Sequence, residues 1–220
     1  MTNSPKTRVV VLISGSGSNL QVLIDQSRDG SLPIQIVAVI SNNPTAYGLQ
    51  RASEANIDAH VINNKDFADK SIYEQQLQQC IDKYKPDIIL LAGFMRILGA
   101  TFVNRYLGRM LNIHPSLLPK YRGLNTHQRV LDNKESSHGC SVHFVTPELD
   151  GGPVIIQSQV LVDAQDTAES LADKVKTQEH LIYPIAISWF ALKRITLAND
   201  KFSFNGQLRE RAILFDGKGF

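Results

Sequence analysis

The first half of the chain alternates short apolar segments of strand length with amphipathic segments of helix length, and this alternation restricts the possible folds more than any other feature. Parallel strands that are buried on both faces form continuous apolar runs, and they need helical crossovers between them. The pattern therefore predicts an α/β fold with a single-domain, doubly wound and mostly parallel sheet. The predicted strands are 8–14, 34–40, 59–63 and 87–92, and the predicted helices are 18–27, 47–56 and 69–84.

The pattern changes in the second half of the chain. Strands at 140–145 and 154–162 are separated only by a tight Gly-Gly-Pro turn, which predicts an antiparallel hairpin at the edge of the sheet. A long helix capped by Asp166 or Thr167 is expected over 167–192. The other expected elements are a helix at 101–106, a strand at 111–113, a helix at 126–133, and a tail that pairs 201–204 with 208–212 around an Asn-Gly turn.

Composition narrows the class of protein. With 220 residues, 43% of them apolar, the chain can bury roughly 70% of its unfolded surface, which fits one domain over 1–220. The net charge is only +2 and no basic block is present, so neither nucleic acid nor a membrane is an expected partner. The chain opens without a signal-type segment, and its two cysteines fit buried thiols in a reducing compartment, which together predict a cytoplasmic protein.

Asn112 and His114 end a short apolar strand just before Pro115. Because residues two apart in an extended backbone share one face, both side chains can aim donors at one small target. Asp150, in the turn-like segment 148–153, is the carboxylate that could orient the imidazole. Together the three groups could stabilise an oxyanion and move a proton, as an acyl-type transfer requires.

Electrostatics adds an expectation for this trio. A carboxylate at Asp150 should raise the pKa of His114 and keep its imidazole charged. The alternative for each residue taken singly stays open: a histidine that caps a strand, an asparagine bonded to local backbone, and an ordinary Asp-Gly turn.

The segment 14–20, Ser-Gly-Ser-Gly-Ser-Asn-Leu, follows the first strand directly and opens a helix. Its N–H groups would point outward at the positive end of the helix dipole, which predicts a phosphate site with Ser18 and Asn19 as the added polar side chains. Leu20 stands where a dinucleotide-binding loop has its third glycine, so a nicotinamide cofactor is not expected. The alternative, glycines that only permit close packing, also stays open.

The other histidines give weaker signals. His138 and His143 flank the start of a strand, but an extended backbone would not bring them together and no third ligand is evident. No metal site is therefore expected. Of the remaining histidines, only His127, which opens a helix beside the Pro-rich loop, is kept as a residue that could line the pocket.

Four segments in this order resemble the phosphoribosylglycinamide formyltransferase family, the folate-dependent enzymes of purine biosynthesis. They are the segment 14–20, called the glycine loop below, Ala-Gly-Phe-Met-Arg-Ile-Leu at 92–98, Asn-Ile-His-Pro-Ser at 112–116 and Asp-Gly-Gly-Pro at 150–153. The resemblance covers nearly the whole chain and implies formyl transfer from 10-formyltetrahydrofolate, the co-substrate, to the amine of glycinamide ribonucleotide.

The resemblance also implies roles for single residues, with phosphate binding in the N-terminal half and the folate and catalytic loops in the C-terminal half. Lys70 stands where some members carry arginine, and Asn125 where some carry histidine, so these two positions differ from part of the family. The implied catalytic residues are Asn112, His114 and Asp150; the phosphate residues are Gly17, Ser18, Asn19, Lys176 and Glu179; and the folate residues are Lys70, Met95, Arg96, Ile97, Leu98 and Asn112.

Other functions share the same trio. Methionyl-tRNA formyltransferase would carry an RNA-binding domain after this one and formyltetrahydrofolate hydrolase a regulatory domain before it, and we expect the chain to have room for neither. A folate- or phosphate-binding module without turnover is the non-enzymatic alternative. Both a monomer and a dimer are compatible with the sequence.

Overall fold

The computed structural model describes residues 6–217 of the chain. Two compact units follow one another in the sequence and divide it between Leu111 and Asn112. The single domain over 1–220 stays a prediction. Among the described residues, no helix has the length and the apolar character needed to cross a membrane.

The first unit contains a parallel sheet made of β1 (Thr7–Ile13), β2 (Ile34–Ser41), β3 (Ala59–Val61) and β4 (Ile88–Leu91). These strands pair in the order β4-β1-β2-β3, and Val9 to Ile13 in the central strand are fully buried. A strand covered on both faces has this apolar character. The helices are α1 (Ser18–Asp29), α2 (Tyr47–Glu54), α3 (Lys70–Lys83) and α4 (Ala100–Arg105), with a 3-10 turn at Asn64–Asp66.

Local sequence signals explain where two of these helices begin. Gly17 precedes α1 with φ 69°, in the left-handed region where a side chain would be strained. Asp69 precedes α3, and its carboxylate accepts a hydrogen bond from the Ile72 N–H at 2.9 Å. The strands and helices predicted for the first half are all confirmed, with small differences at their ends.

The second unit has a mixed sheet. Its strands are β5 (Met110–His114), β6 (Ser137–Phe144), β7 (Val154–Leu161) and, near the end of the chain, the short strand Ile213–Leu214. The predicted antiparallel pairing of β6 with β7 is confirmed. Two details of the predicted hairpin are wrong: residues 145–153 form a long connection in place of a tight turn, and Ile213–Leu214 pairs in parallel outside β7, so β7 is not the edge strand.

Helices α5 (Thr126–Asp132) and α6 (Ala168–Ala191) complete this unit. Thr167 is the cap of α6, because its hydroxyl accepts from the Ser170 N–H at 3.1 Å while the Ser170 hydroxyl accepts from the Thr167 N–H at 3.0 Å. This reciprocal pair is a capping box. The helix continues through Pro184 as one element.

A separate antiparallel sheet is formed by β8 (Ile195–Ala198), β9 (Lys201–Phe204) and β10 (Gln207–Arg209), and the strand Ile213–Leu214 that follows it is β11. The pairing of β9 with β10 was predicted, whereas β8 was not. The ring of Phe204 meets the ring of Trp189 in α6 edge to face, with 4.8 Å between centroids. This aromatic contact fastens the small sheet to α6.

Both cysteines are free and buried, as the sequence predicts. Cys80 lies in α3 and Cys140 in β6. Burial raises the pKa of the Cys140 thiol well above its ordinary value, and the nearby Glu179 carboxylate raises it further. Because the thiolate is the reactive form, this thiol is chemically inert near neutral pH.

Gly139 permits the close approach of β6 to β7. A Cβ at this position would lie 2.0 Å from the carbonyl oxygen of Ser158. Gly139→Ala should therefore lower the free energy of unfolding by about 2 kcal/mol or more, because the backbone has to move. Urea titration measures this loss. Gly15→Ala is the matched control, since its added methyl group meets nothing within 4 Å, and equal losses in both variants would contradict the explanation.

Candidate active site

Asn112 and His114 lie on one face at the end of β5, Asn112 half-buried and His114 buried. The third group, Asp150, comes from the connection between β6 and β7 and has φ 46°. His114 Nδ1 lies 3.5 Å from Asp150 Oδ2, and Asn112 Nδ2 lies 3.5 Å from Asp150 Oδ1. Asn112 and Asp150 are 38 residues apart in the sequence, yet their side chains meet in the second unit.

His143 fixes the orientation of the Asn112 amide. His143 Nδ1 donates to the Phe144 carbonyl at 2.9 Å, and because a carbonyl only accepts, the ring proton is on Nδ1. His143 Nε2 is then an acceptor, and it takes a hydrogen bond from Asn112 Nδ2 at 3.1 Å. The sequence analysis tested His143 only as a metal ligand beside His138 and missed this contact, which joins the neighbouring strands β5 and β6.

The loop after β5 holds the other two groups through main-chain atoms. His114 Nε2 donates to the Tyr121 carbonyl at 2.9 Å, and the Gly123 N–H donates to Asp150 Oδ2 at 2.8 Å. Tyr121, Gly123 and Asn125 all have positive φ. The loop therefore turns sharply enough to offer both a carbonyl and an amide to the trio.

The charge on His114 differs from the prediction. Burial lowers the pKa of the imidazole, and although the Tyr121 carbonyl and the Asp150 carboxylate raise it, burial has the larger effect. The predicted sign of the Asp150 effect is right, but the predicted charged ring is wrong. With Nε2–H directed at Tyr121, the neutral ring presents the Nδ1 lone pair to Asp150.

Asp150 is the charged member of the trio. Burial of its carboxyl raises the pKa, but the nearby His143 and His114 side chains and the hydrogen bond from the Gly123 N–H together leave that pKa below its ordinary value. The site therefore combines a carboxylate with a neutral imidazole that can accept a proton beside it.

His127 and His138 form a second imidazole pair, with His127 Nδ1 and His138 Nε2 3.0 Å apart. Burial lowers the pKa of both rings, that of His138 to about 4, and the charge of Lys176 acts in the same direction on His127. His127, expected to line the pocket, is thus bonded to His138. No cluster of three or more His, Cys, Asp or Glu side chains within residues 6–217 is arranged to hold a metal ion.

The His138 environment predicts an acid-sensitive fold. An unfolded imidazole binds its proton near pH 6.5, whereas the folded ring does so only near pH 4, so stability falls as pH drops below 6.5. Between about pH 7.5 and pH 5 this difference removes about 2 kcal/mol of the free energy of unfolding. Urea titrations at the two values should show that His138→Gln loses this part of the pH dependence. An unchanged dependence would place the titrating group elsewhere.

The glycine loop lies in the first unit. Helix α1 begins at Ser18 without an acidic residue in its first turn and without a side-chain cap, so the positive end of its dipole favours an anion there. The alternative prediction, that the glycines permit close packing, also holds at Gly17, because a Cβ there would lie 2.8 Å from Gly48 Cα. Arg51 braces the loop by donating from Nε to the Ser16 carbonyl at 2.9 Å.

Lys176 and Glu179, the other predicted phosphate residues, lie three apart on α6 in the second unit and so share a helix face. Lys176 Nζ bonds Asp173 Oδ1 at 2.6 Å. Binding a phosphate with this ammonium would therefore require it to leave, or to share, the Asp173 carboxylate.

The predicted folate segment, residues 95–98, follows β4 in the first unit and has no regular secondary structure. Met95 and Ile97 are exposed by 62% and 63%, whereas Leu98 is buried. Glu74 Oε1 anchors the end of the segment by accepting from the Gly99 N–H at 2.7 Å, and Lys70 Nζ lies 3.7 Å from the same oxygen. Lys70 is thus held beside the segment with which it was predicted to act.

Comparison with known proteins identifies the family. Residues 7–187 match the family model described as formyl transferase. The chain belongs to the formyl transferase family. A phosphoribosylglycinamide formyltransferase from Escherichia coli K12 is 50% identical over 90% of this chain and 94% of its own. The predicted resemblance to the phosphoribosylglycinamide formyltransferases is confirmed, and the chain is a formyl transfer enzyme.

Solved structures of formyl transferase relatives share the fold. A phosphoribosylglycinamide formyltransferase from Coxiella burnetii, 50% identical, has a TM-score of 0.88 and covers 92% of this chain and 95% of its own. A formyltetrahydrofolate deformylase from Pseudomonas putida KT2440, 27% identical, has a TM-score of 0.83 over 93% of this chain and 71% of its own. The α/β architecture with a mostly parallel sheet is therefore shared with both a formyltransferase and a deformylase.

Proposed function

We propose that this enzyme transfers the formyl group of 10-formyltetrahydrofolate to the amine of glycinamide ribonucleotide, a step of purine biosynthesis in the cytoplasm. The observation that carries the proposal is the meeting of three groups in a member of this family: Asn112 and His114 each lie 3.5 Å from the Asp150 carboxylate. These groups supply a donor, a proton acceptor and a fixed negative charge around one small space.

His114 is the proton acceptor in this mechanism. Its Nδ1 carries the lone pair, because burial lowers the ring pKa and Nε2–H is bonded to Tyr121. When the neutral amine attacks the formyl carbon, a C–N bond forms and the nitrogen becomes positively charged. Its proton then passes to Nδ1, directly or through one water, and Asp150 at 3.5 Å stabilises the resulting imidazolium.

Asn112 is the first donor to the formyl oxygen, which gains the negative charge. One Nδ2 hydrogen is fixed on His143, while the other faces Asp150 at 3.5 Å, a long contact that the oxyanion can replace. The charged ring of His114 is the second donor. Removing one such donor typically lowers kcat by about 10² to 10³.

Collapse of the tetrahedral intermediate completes the transfer. The bond from the formyl carbon to the folate nitrogen breaks, and its electron pair stays on that nitrogen. The imidazolium of His114 returns the proton there, so tetrahydrofolate leaves neutral at this atom and His114 is neutral again. No covalent bond to the enzyme is formed at any step.

Each substrate has its own proposed contacts. The amides at the start of α1, with Gly17, Ser18 and Asn19, would bind the ribonucleotide phosphate. Lys176 would add a charge to the phosphate, and Glu179 could accept hydrogen bonds from ribose hydroxyl groups. Folate would bind along Met95, Arg96, Ile97 and Leu98, with Lys70 at its outer end.

The test is a direct assay in which 10-formyltetrahydrofolate is mixed with the protein and the folate absorbance is followed. Glycinamide ribonucleotide should be required, and the riboside that lacks phosphate should be a poorer substrate by at least roughly tenfold, since charge-assisted hydrogen bonds to the phosphate are lost. Equal rates for ribonucleotide and riboside would contradict the phosphate assignment.

Hydrolysis of 10-formyltetrahydrofolate is the second candidate, because a deformylase shares this fold at 27% identity. Water would then replace the amine as the nucleophile at the same trio. Formyl release without ribonucleotide, at the rate seen with it, would favour the hydrolase and overturn the transferase.

A further inference from the structure

Ser14, the first residue of the glycine loop, connects this loop to the folate segment of the first unit through its hydroxyl group. Ser14 comes directly after β1, and β1 pairs with β4, whose end leads into the folate segment. The Ser14 hydroxyl accepts a hydrogen bond from the Met95 N–H at 2.7 Å. One side chain of the glycine loop thus holds the backbone of the first predicted folate residue.

The direction of the hydrogen bonds around Ser14 is fixed by its neighbours. Asn42, at the end of β2, directs its Nδ2 to Asn64 Oδ1 at 3.2 Å, so its Oδ1 is the atom that faces Ser14. The Ser14 hydroxyl donates to that oxygen at 2.5 Å and keeps a lone pair for Met95. Asn43 Nδ2 also donates to the Ser14 carbonyl at 3.2 Å. Hydrogen bonds in such a chain polarise and strengthen one another.

Two side chains of the first unit hold the ends of the folate segment. It has no regular secondary structure, Gly93 near its start has φ 73°, and Met95 is 62% exposed. Ser14 fixes its beginning and Glu74 its end, the latter through the Gly99 N–H. Of these two anchors, only Ser14 belongs to the glycine loop.

We propose that Ser14 is a positioning residue that couples the two substrate sites. It sets the Met95 backbone against the loop proposed to bind the phosphate, so that ordering of one segment favours the order of the other. The inference rests on the proposed function, because it takes these segments as the ribonucleotide and folate sites. By linkage, each substrate then raises the affinity for the other by the same factor.

The test uses calorimetric titration of the full-length protein with tetrahydrofolate, which has no formyl group to transfer, with and without glycinamide ribonucleotide. The ratio of the two folate dissociation constants is the coupling factor. In the unaltered protein we expect a factor above one. Ser14→Ala should weaken folate binding by about 3- to 10-fold, the worth of one hydrogen bond, and bring the coupling factor close to one.

Two further variants separate positioning from general stability. Ser14→Thr keeps a hydroxyl and should restore most of the coupling. Ser27→Ala removes another half-buried serine hydroxyl of the first unit, which donates to the Ile34 carbonyl at 3.0 Å, and should leave both folate affinity and coupling unchanged. Urea titration of all three variants shows whether any has lost its fold.

The outcomes either support or overturn the role of Ser14. A coupling factor of one in the unaltered protein overturns it, and so does an unchanged factor in folded Ser14→Ala. A loss of binding in Ser27→Ala as large as in Ser14→Ala also overturns it. Failure of the proposed function is seen separately, as absence of formyl transfer to glycinamide ribonucleotide by the unaltered enzyme.

Discussion

His114→Asn should lower kcat for formyl transfer by about 10³-fold while leaving the dissociation constant for glycinamide ribonucleotide nearly unchanged. The substitution removes the Nδ1 lone pair that takes the proton and the cation that forms beside Asp150, which lies 3.5 Å away. These interactions develop only during the reaction, so their loss falls on kcat rather than on substrate binding. Steady-state kinetics and a separate binding titration measure the two effects.

A matched control for this experiment is His60→Asn. His60 lies on β3 and bonds the Tyr84 hydroxyl, so its substitution removes an imidazole that has no contact with the trio. Its kcat should stay within a few-fold of the unaltered enzyme. Because His114 is buried, its variant also needs an unfolding measurement. Equal losses of kcat and ribonucleotide affinity in a folded His114→Asn protein would mean that the residue is structural.

Asp150→Asn should lower kcat by about 10²-fold or more and move the acid limb of the pH profile to lower pH. The rate loss follows because the amide keeps the shape of the side chain but removes the charge that stabilises the imidazolium. The shift follows because the carboxylate raises the pKa of His114, so its removal lowers that pKa further. The neutral, active form of His114 then persists to lower pH.

The kinetic profile of kcat/KM against pH tests this prediction, since it reports groups of the free enzyme. Asp132→Asn is the control, because Asp132 is an exposed carboxylate at the end of α5 that bonds Gln128. It should leave both rate and profile as they are. An acid limb that stays in place, or moves to higher pH, in Asp150→Asn would remove Asp150 from the proton transfer at His114.

Much of the fold could be predicted because its signals are local. Continuous apolar runs predicted the parallel strands, and Thr167 was one of the two predicted caps of α6. Strand β11 was missed because two residues, Ile213 and Leu214, carry too little pattern to distinguish a strand from a loop. Its pairing with β7, far away in the sequence, is what makes it a strand.

The site shows the same division between local and long-range information. Asn112 and His114 could be paired from their spacing in one strand. The contact of His143 with Asn112 could not, because it joins β6 to β5 and depends on the register of these two strands. The pKa of His114 could not be predicted either, because burial depends on everything packed around the ring. The sequence predicted that Asp150 raises the pKa of His114, but it did not show that burial lowers this pKa by more.

The loop after β5 supports the reactive groups with the Tyr121 carbonyl and the Gly123 N–H. Every amino acid has the backbone carbonyl, and every amino acid except proline has the N–H. A change of side chain in this loop leaves both contacts in place as long as the backbone keeps its sharp turns. Substitutions of the exposed Leu124 should therefore keep both backbone contacts, whereas most substitutions of Asn125, which has φ 56°, would strain the turn that presents them.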